Sequence, residues 1–495
     1  MKEFTLLINK NIQVGKIENG MFSSFIEHLG RAIYGGMYQP DHPSADEDGF
    51  RKDVIEVIKP LNLNLIRYPG GNFVSGYFWE DGIGPVEKRP QKIDHAWHSI
   101  EPNIIGTDEF MKWAKKVNVS PMMALNLGSG TIESARNLVE YCNANDRSKY
   151  ANLRRQNGHN EPYNIIYWCL GNEMDGDWQI GHMSVEDYIL KAKKTAQEIR
   201  KITPEARLIA CGSSTIDMPS FPSWDRQVLE GLYDDIDLLA VHQYFYESTT
   251  EDDFFASYLA VDKYITTLRN VLGYVKASKR SKKDIYLCFD EYNIWYNTKK
   301  LPQDYRVGAP RGEEFQSLKD ALVFTGILNS LLNNADIIKV ACLAQLINVL
   351  APIMTRNDGG VLLNSIYYPF FHFCNECRGI ALKSYVTSGE SFNSRFGEAS
   401  YLSQSVVLNE DKITINLSNY AKEEVRLMIN LLDFGNVEFL KGHCLFGEDL
   451  NARNTFEHPK DVVLKKLDSQ VTINNNQITI ALKPLSWTAI QLKLI

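Results

Sequence analysis

A (β/α)8 TIM barrel followed by an antiparallel, jelly-roll-like β-sandwich is the fold that the sequence predicts, on three observations. Short apolar runs, each closed by polar or glycine-rich residues, recur along roughly the first 380 residues. Segments with helical period separate them. After about Ser384 the texture changes to alternating apolar and polar residues with Asn-rich turns. Buried strands alternating with amphipathic helices make a parallel sheet covered by helices. About eight such units suit a barrel, which takes ~250 residues or more. At 495 residues the chain is too long for one ordinary domain and has room for both parts.

The elements follow in order. "FTLLINK" alternates with period two, so residues 1–17 are expected to form a strand that returns to the sandwich. The barrel, residues 18–383, takes its strands from "MFSSFIEHLG", "LNLIRYPGGN", "PMMALNLGSG", "NIIYWCLGNE", "ARLIACGSS", "DLLAVHQYFY", "DIYLCFDEYN" and "DIIKVACLAQ". Between them, Phe110, Trp113, Ala114 and Val117 form one helical stripe, and Val185, Ile189, Ala192, Ala196 and Ile199 another. The excess length falls in loops such as Phe73 to Gly106. In residues 384–495, "KITINLSNY", "EVRLMINLL", "QVTINNNQITIAL" and "TAIQLKL" alternate as sandwich strands do.

Composition narrows the function. A net charge of −8 argues against nucleic acid or an anionic membrane as the main partner. No run of roughly 18 apolar residues occurs, and the first residues lack a signal-peptide core, so a cytoplasmic protein is expected. Eight cysteines in so long a chain suit a reducing compartment. Cys374 and Cys377 have half-site spacing without a second pair, and His95 and His98 lack a third ligand, so no metal and no cofactor are expected. "NLGSGTIESARNLVEY" has the strand, Gly-x-Gly turn and helix of a dinucleotide fingerprint. Glu133, however, stands where a third small residue belongs, and an acid there repels pyrophosphate.

In a barrel of this class the C-terminal strand ends form the active-site face. Glu173 follows the fourth strand and Glu291 the seventh, in analogous positions. Two carboxylates converging on one pocket serve acid/base or glycosyl chemistry. The bland alternative makes both of them solvated loop acids or helix N-caps. The other strand ends offer Glu27, His28, Arg67, Asn72, Asn126, His242, Tyr244, Gln345 and Asn348. Hydrogen-bonding groups at nearly every strand end suit a polyhydroxylated ligand.

At these residues a family resemblance emerges. "WCLGNEMDGDWQIGH" resembles the acid/base segment of the family 51 glycoside hydrolases, the α-L-arabinofuranosidases. "FDEYNIWY" resembles their nucleophile segment, usually written with Trp where Tyr292 stands. The likeness runs in order through "FIEHLGRAIYGGMY", "RYPGGNFVSGYFWEDGIGP", "AWHSIEPNIIGTDEF", "VHQYF" and "ACLAQLINVLAPIM" and covers the whole barrel. It implies a retaining exo-hydrolase that removes terminal arabinofuranosyl groups from arabinan and arabinoxylan fragments, with Glu173 as general acid/base and Glu291 as nucleophile. Glu27, Asn72, Asn172, Tyr244 and Gln345 match the family's arabinose-binding positions, and Trp97 falls in the loop that flanks the sugar. Tyr292 is expected to keep an aromatic wall beside the nucleophile. A homo-oligomer, often a hexamer, is implied by resemblance only. An endo-β-1,4-glucanase or xylan-active hydrolase on the same two carboxylates is the alternative, and a non-catalytic carbohydrate-binding protein a third reading.

Overall fold

The computed structural model describes residues 1–247, 250–296 and 305–495. Eight strands, β1 (Ser23–Phe25), β2 (Leu65–Tyr68), β3 (Ser120–Ala124), β4 (Tyr167–Leu170), β5 (Arg207–Cys211), β6 (Leu238–Phe245), β7 (Tyr286–Ile294) and β8 (Ile338–Ala344), pair in parallel, and β8 returns to β1 to close a barrel. Every strand sends a side chain to the barrel interior, among them Phe25, Leu65, Met122, Cys169, Ile209, Leu238, Cys288 and Val340. Their neighbours Ile66, Met123, Trp168, Leu208, Leu239, Leu287 and Ala341 face the surrounding helices. Both strand faces are covered, which is why these segments read as unbroken apolar runs.

The helices cover the barrel with the expected stripes. Helix α1 (Thr107–Val117) buries Phe110, Trp113, Ala114 and Val117 and ends where Asn118 turns left-handed at φ 59°. Helix α2 (Val185–Ile202) starts at Ser184, whose side chain accepts from the Asp187 N–H, and buries Ala192, Ala196 and Ile199. Helix α3 (Leu318–Leu332) is buried at all of its residues. It lies between the barrel and a second domain, so no face of it meets water.

That second part is a ten-stranded sheet. Strands from distant positions in its order, Val425–Leu432, Gln477–Leu482, Lys412–Asn419 and Ser486–Leu494, share one apolar core, so the sheet closes over itself. The N-terminal strand Lys2–Ile17 lies inside this sheet, between Gly379–Ser388 and Val425–Leu432. Residue 384, where the sequence texture changes, therefore falls within a strand. One pairing departs from the antiparallel expectation, because the N-terminal strand runs parallel to Val425–Leu432. No hairpin joins these two segments, so no tight turn imposes an antiparallel direction. Ser405 Oγ donates to Asn329 Oδ1 (2.7 Å), and Thr325 and Ser418 share a hydroxyl hydrogen bond (2.8 Å), tying the sheet to α3. No helix among the described residues is long and apolar enough to cross a membrane.

Candidate active site

Glu173 stands three residues beyond β4, at φ 45°, a backbone region that non-glycine residues rarely occupy. Its Oε1 lies 2.9 Å from His242 Nδ1, and its Oε2 accepts from the indole N–H of Trp178 at 2.6 Å. Glu291 differs from expectation in one respect. It lies inside β7, which pairs on with β6 as far as Ile294, past a register shift between Cys288 and Glu291. Arg67 donates to its Oε1 at 2.6 Å, and the Tyr244 hydroxyl donates to its Oε2 at 2.7 Å. One oxygen of each glutamate and one nitrogen of His242 all lie within 4.8 Å of one another. Gly71 makes this approach possible, since a Cβ there would stand 2.9 Å from Glu291 Oε1.

Glu27 organises the opposite wall. Its Oε1 accepts from the backbone N–H groups of Gly71 (3.0 Å) and Phe73 (2.9 Å) and from the Trp97 indole (2.9 Å). Its Oε2 accepts from Gln345 Nε2 at 3.2 Å. Burial pushes the Glu27 carboxyl up to about 8, against the pull of the Phe73 and Trp97 hydrogen bonds. Glu27, Asn72, Trp97, Glu173, Tyr244, Glu291 and Gln345 line one cleft of about 1110 Å³.

Three expected binding residues sit behind this surface instead. Arg67 is 1% exposed and bridges Glu291 to the Asn172 side-chain oxygen, which accepts from it at 2.6 Å. Asn172 itself is 1% exposed, and its amide reaches Gln179 at 3.3 Å. His242 lies beneath both glutamates. With Asp290, these three residues line a much smaller space inside the barrel. Other strand-end groups hold loops: His28 pairs with Glu101 at 2.7 Å, Asn126 donates to the Tyr77 carbonyl, and Asn348 donates to the Arg31 carbonyl. Tyr292 does not wall the nucleophile. The register shift before Glu291 lets both Asp290 and Glu291 face the barrel interior; beyond it alternation resumes, and Tyr292 points outward and stacks on Phe324 of α3.

Two further aromatic walls come from residues that the sequence reading passed over. Trp295 packs edge-on to Tyr244 with ring centres 5.2 Å apart, and Trp178 lines the cleft while 49% exposed. Both lie in quoted segments, but nothing in their spacing marks them as cleft residues. Glu173, His242 and Glu291 are close enough to hold a metal, as are Asp46, Glu47 and Asp48. In the first group all four carboxylate oxygens already have protein partners, Arg67, Tyr244, Trp178 and His242. In the second, Lys116 pairs with all three acids and Lys112 with Asp48. Cys374 and Cys377 are buried free thiols.

Known proteins share this sequence and fold. The model of an α-L-arabinofuranosidase 1 domain matches residues 57–264, and that of an α-L-arabinofuranosidase C-terminal domain matches residues 290–486. An intracellular exo-α-(1→5)-L-arabinofuranosidase of Acetivibrio thermocellus is 42% identical over 99% of this chain and 100% of its own length. One of Bacillus subtilis is also 42% identical, over 100% of this chain and 99% of its own. A solved family 51 α-L-arabinofuranosidase from Bifidobacterium longum superposes with a TM-score of 0.94 at 34% identity, covering 99% of each chain. Paired carboxylates at the mouth of a closed barrel and full-length likeness lead to one assignment: the chain belongs to the α-L-arabinofuranosidases of glycoside hydrolase family 51.

Proposed function

We propose that this arabinofuranosidase is a retaining, exo-acting enzyme with Glu291 as nucleophile and Glu173 as general acid/base. The observation that carries the reading is the closeness of the two carboxylates, with oxygens within 4.8 Å. Retaining enzymes hold their carboxyls ~5–5.5 Å apart, whereas inverting ones need room for a water between them. Glu291 attacks the anomeric carbon while Glu173 protonates the departing oxygen. A water that gives its proton to Glu173 then frees the sugar with its configuration kept. Arg67 and Tyr244 hydrogen-bond the attacking carboxylate and orient it.

Glu27, Asn72, Trp97, Tyr244 and Gln345 enclose a single furanose, so binding at this end supplies orientation, worth ~7 kcal/mol or more in well-placed reactants. An enclosed sugar leaves no exit for a chain continuing past its non-reducing end. Terminal arabinofuranosyl groups of arabinan and arabinoxylan oligosaccharides are therefore the proposed substrates, with α-(1→5) linkages first, as the relatives' names say of those enzymes. Action inside the cell and the hexamer implied by the family resemblance belong to the same reading, and sedimentation checks the latter. Linear and branched arabino-oligosaccharides should yield only monomeric arabinose, first formed as the α-furanose by NMR. Early longer fragments, or a viscosity drop with cellulose or xylan, would favour an endo-acting enzyme.

A further inference from the structure

Asp290 precedes Glu291 in β7, is fully buried, and touches nothing in the cleft. Its Oδ1 lies 3.3 Å from His242 Nε2 and its Oδ2 3.1 Å from Arg67 Nε. The other ring nitrogen of His242 faces Glu173 Oε1 at 2.9 Å and Glu291 Oε2 at 3.7 Å. Both imidazole nitrogens thus have carboxylate oxygens as their ion-pair neighbours. A neutral imidazole carries one N–H and one lone pair, and only the protonated ring donates from both sides.

We propose that Asp290 is a positioning residue for the reaction: it holds the His242 imidazole doubly protonated, and the resulting cation is the shared counter-charge of Glu173 and Glu291. The inference rests on the roles proposed above for those two glutamates.

The surroundings support it. Burial disfavours the His242 cation, but the negative charges of Glu291 and Asp290, with the hydrogen bond to Glu173, outweigh it and hold the ring well above the ordinary histidine value. Burial likewise pushes Asp290 up, yet Arg67 and His242 leave it below the ordinary aspartate value. The other ionisable groups facing the pair from the barrel are Cys169 of β4, Cys211 of β5, Cys288 of β7 and Cys342 of β8. Burial raises all four thiols, so they stay neutral and do not compete for the charge.

The His242 cation faces an oxygen of each glutamate, so its loss leaves two acidic side chains facing each other without their shared counter-charge. Asp290 is the more distant charge, so losing the cation outweighs losing Asp290 itself. In Asp290→Asn, the whole pH profile of kcat/KM on an aryl α-L-arabinofuranoside should move up by about one pH unit. If His242 keeps its charge without Asp290, the profile moves down, which overturns the proposal, as does no movement. In a His242→Gln background, Asp290→Asn should add no further displacement. A further displacement means that Asp290 acts through Arg67 and also overturns it.

One measurement needs no substitution in the enzyme under study. In the full chain labelled with 15N-histidine, the His242 signals, identified by their loss in His242→Gln, should show both nitrogens protonated from about pH 5 to about pH 8. An unprotonated ring nitrogen in the wild type within that range overturns the inference even if Asp290→Asn fails to fold. This result is independent of substrate. A chain inactive on arabinofuranosides with a doubly protonated His242 would instead refute the proposed function.

Discussion

In the ten-stranded sheet the buried core is made of Leu6, Ile8, Ile413, Ile415, Leu427, Ile429 and similar residues. The floor of the barrel mouth instead buries Arg67, His242, Asp290 and Glu291 side by side. The first interior gains free energy from apolar area, roughly 25 cal/mol per Å², and each side chain contributes nearly independently. The second is stable only as a complete set, because each charge taken from water must find its partner. The sheet can therefore lose a methyl group and keep its function. Removing a charge from the barrel mouth instead leaves another buried charge without its partner.

The catalytic pair should show the largest effects. Glu291→Ala should lose ~10⁴-fold or more in turnover on every substrate, because no other group can form the glycosyl-enzyme. A loss of under about tenfold would remove Glu291 as nucleophile. Glu173→Ala should cost roughly 10²–10⁴-fold on oligosaccharides. It should cost far less on aryl glycosides with good leaving groups, with azide restoring the rate. Equal loss on both substrate types, without rescue, would contradict its role.

Stability comes next. Arg67→Ala leaves the buried Asp290 with His242 as its only close cation among the described residues, and should cost about 3–5 kcal/mol in urea unfolding. Leu427→Ala in the sheet core should cost about 2–5 kcal/mol while kcat/KM stays at the wild-type value. If Leu427→Ala reduced kcat/KM, or Arg67→Ala proved as stable as wild type, the contrast between the two interiors would fail.

A pH-dependent effect concerns Glu27. Folded, its carboxyl keeps its proton up to about 8, against an ordinary value of 4.5. The native state therefore binds more protons than the unfolded chain across this window, and the group's contribution to stability falls as pH rises through it. Glu27→Gln should flatten that part of the stability profile. Unfolding at both ends of the window checks this, and an unchanged slope would mean that Glu27 is ionised when buried.

Much of this was legible in the chain itself. Apolar runs closed by polar residues mark the eight barrel strands, and alternation after Ser384 marks the sheet, because burial on two faces or one writes itself into local periodicity. The polar residue after "WCLGN" and the one in "CFDEYN" stand out for the same reason. Tertiary structure alone decided which strand-end groups reach the cleft. Arg67 and Glu291 are 224 residues apart and meet only because the barrel closes. Arg67, Asn172 and His242 lie behind the glutamates, Tyr292 turns outward, and Trp178 and Trp295 supply walls. Those outcomes depend on strand register and barrel closure, and a window of a few residues holds no record of either.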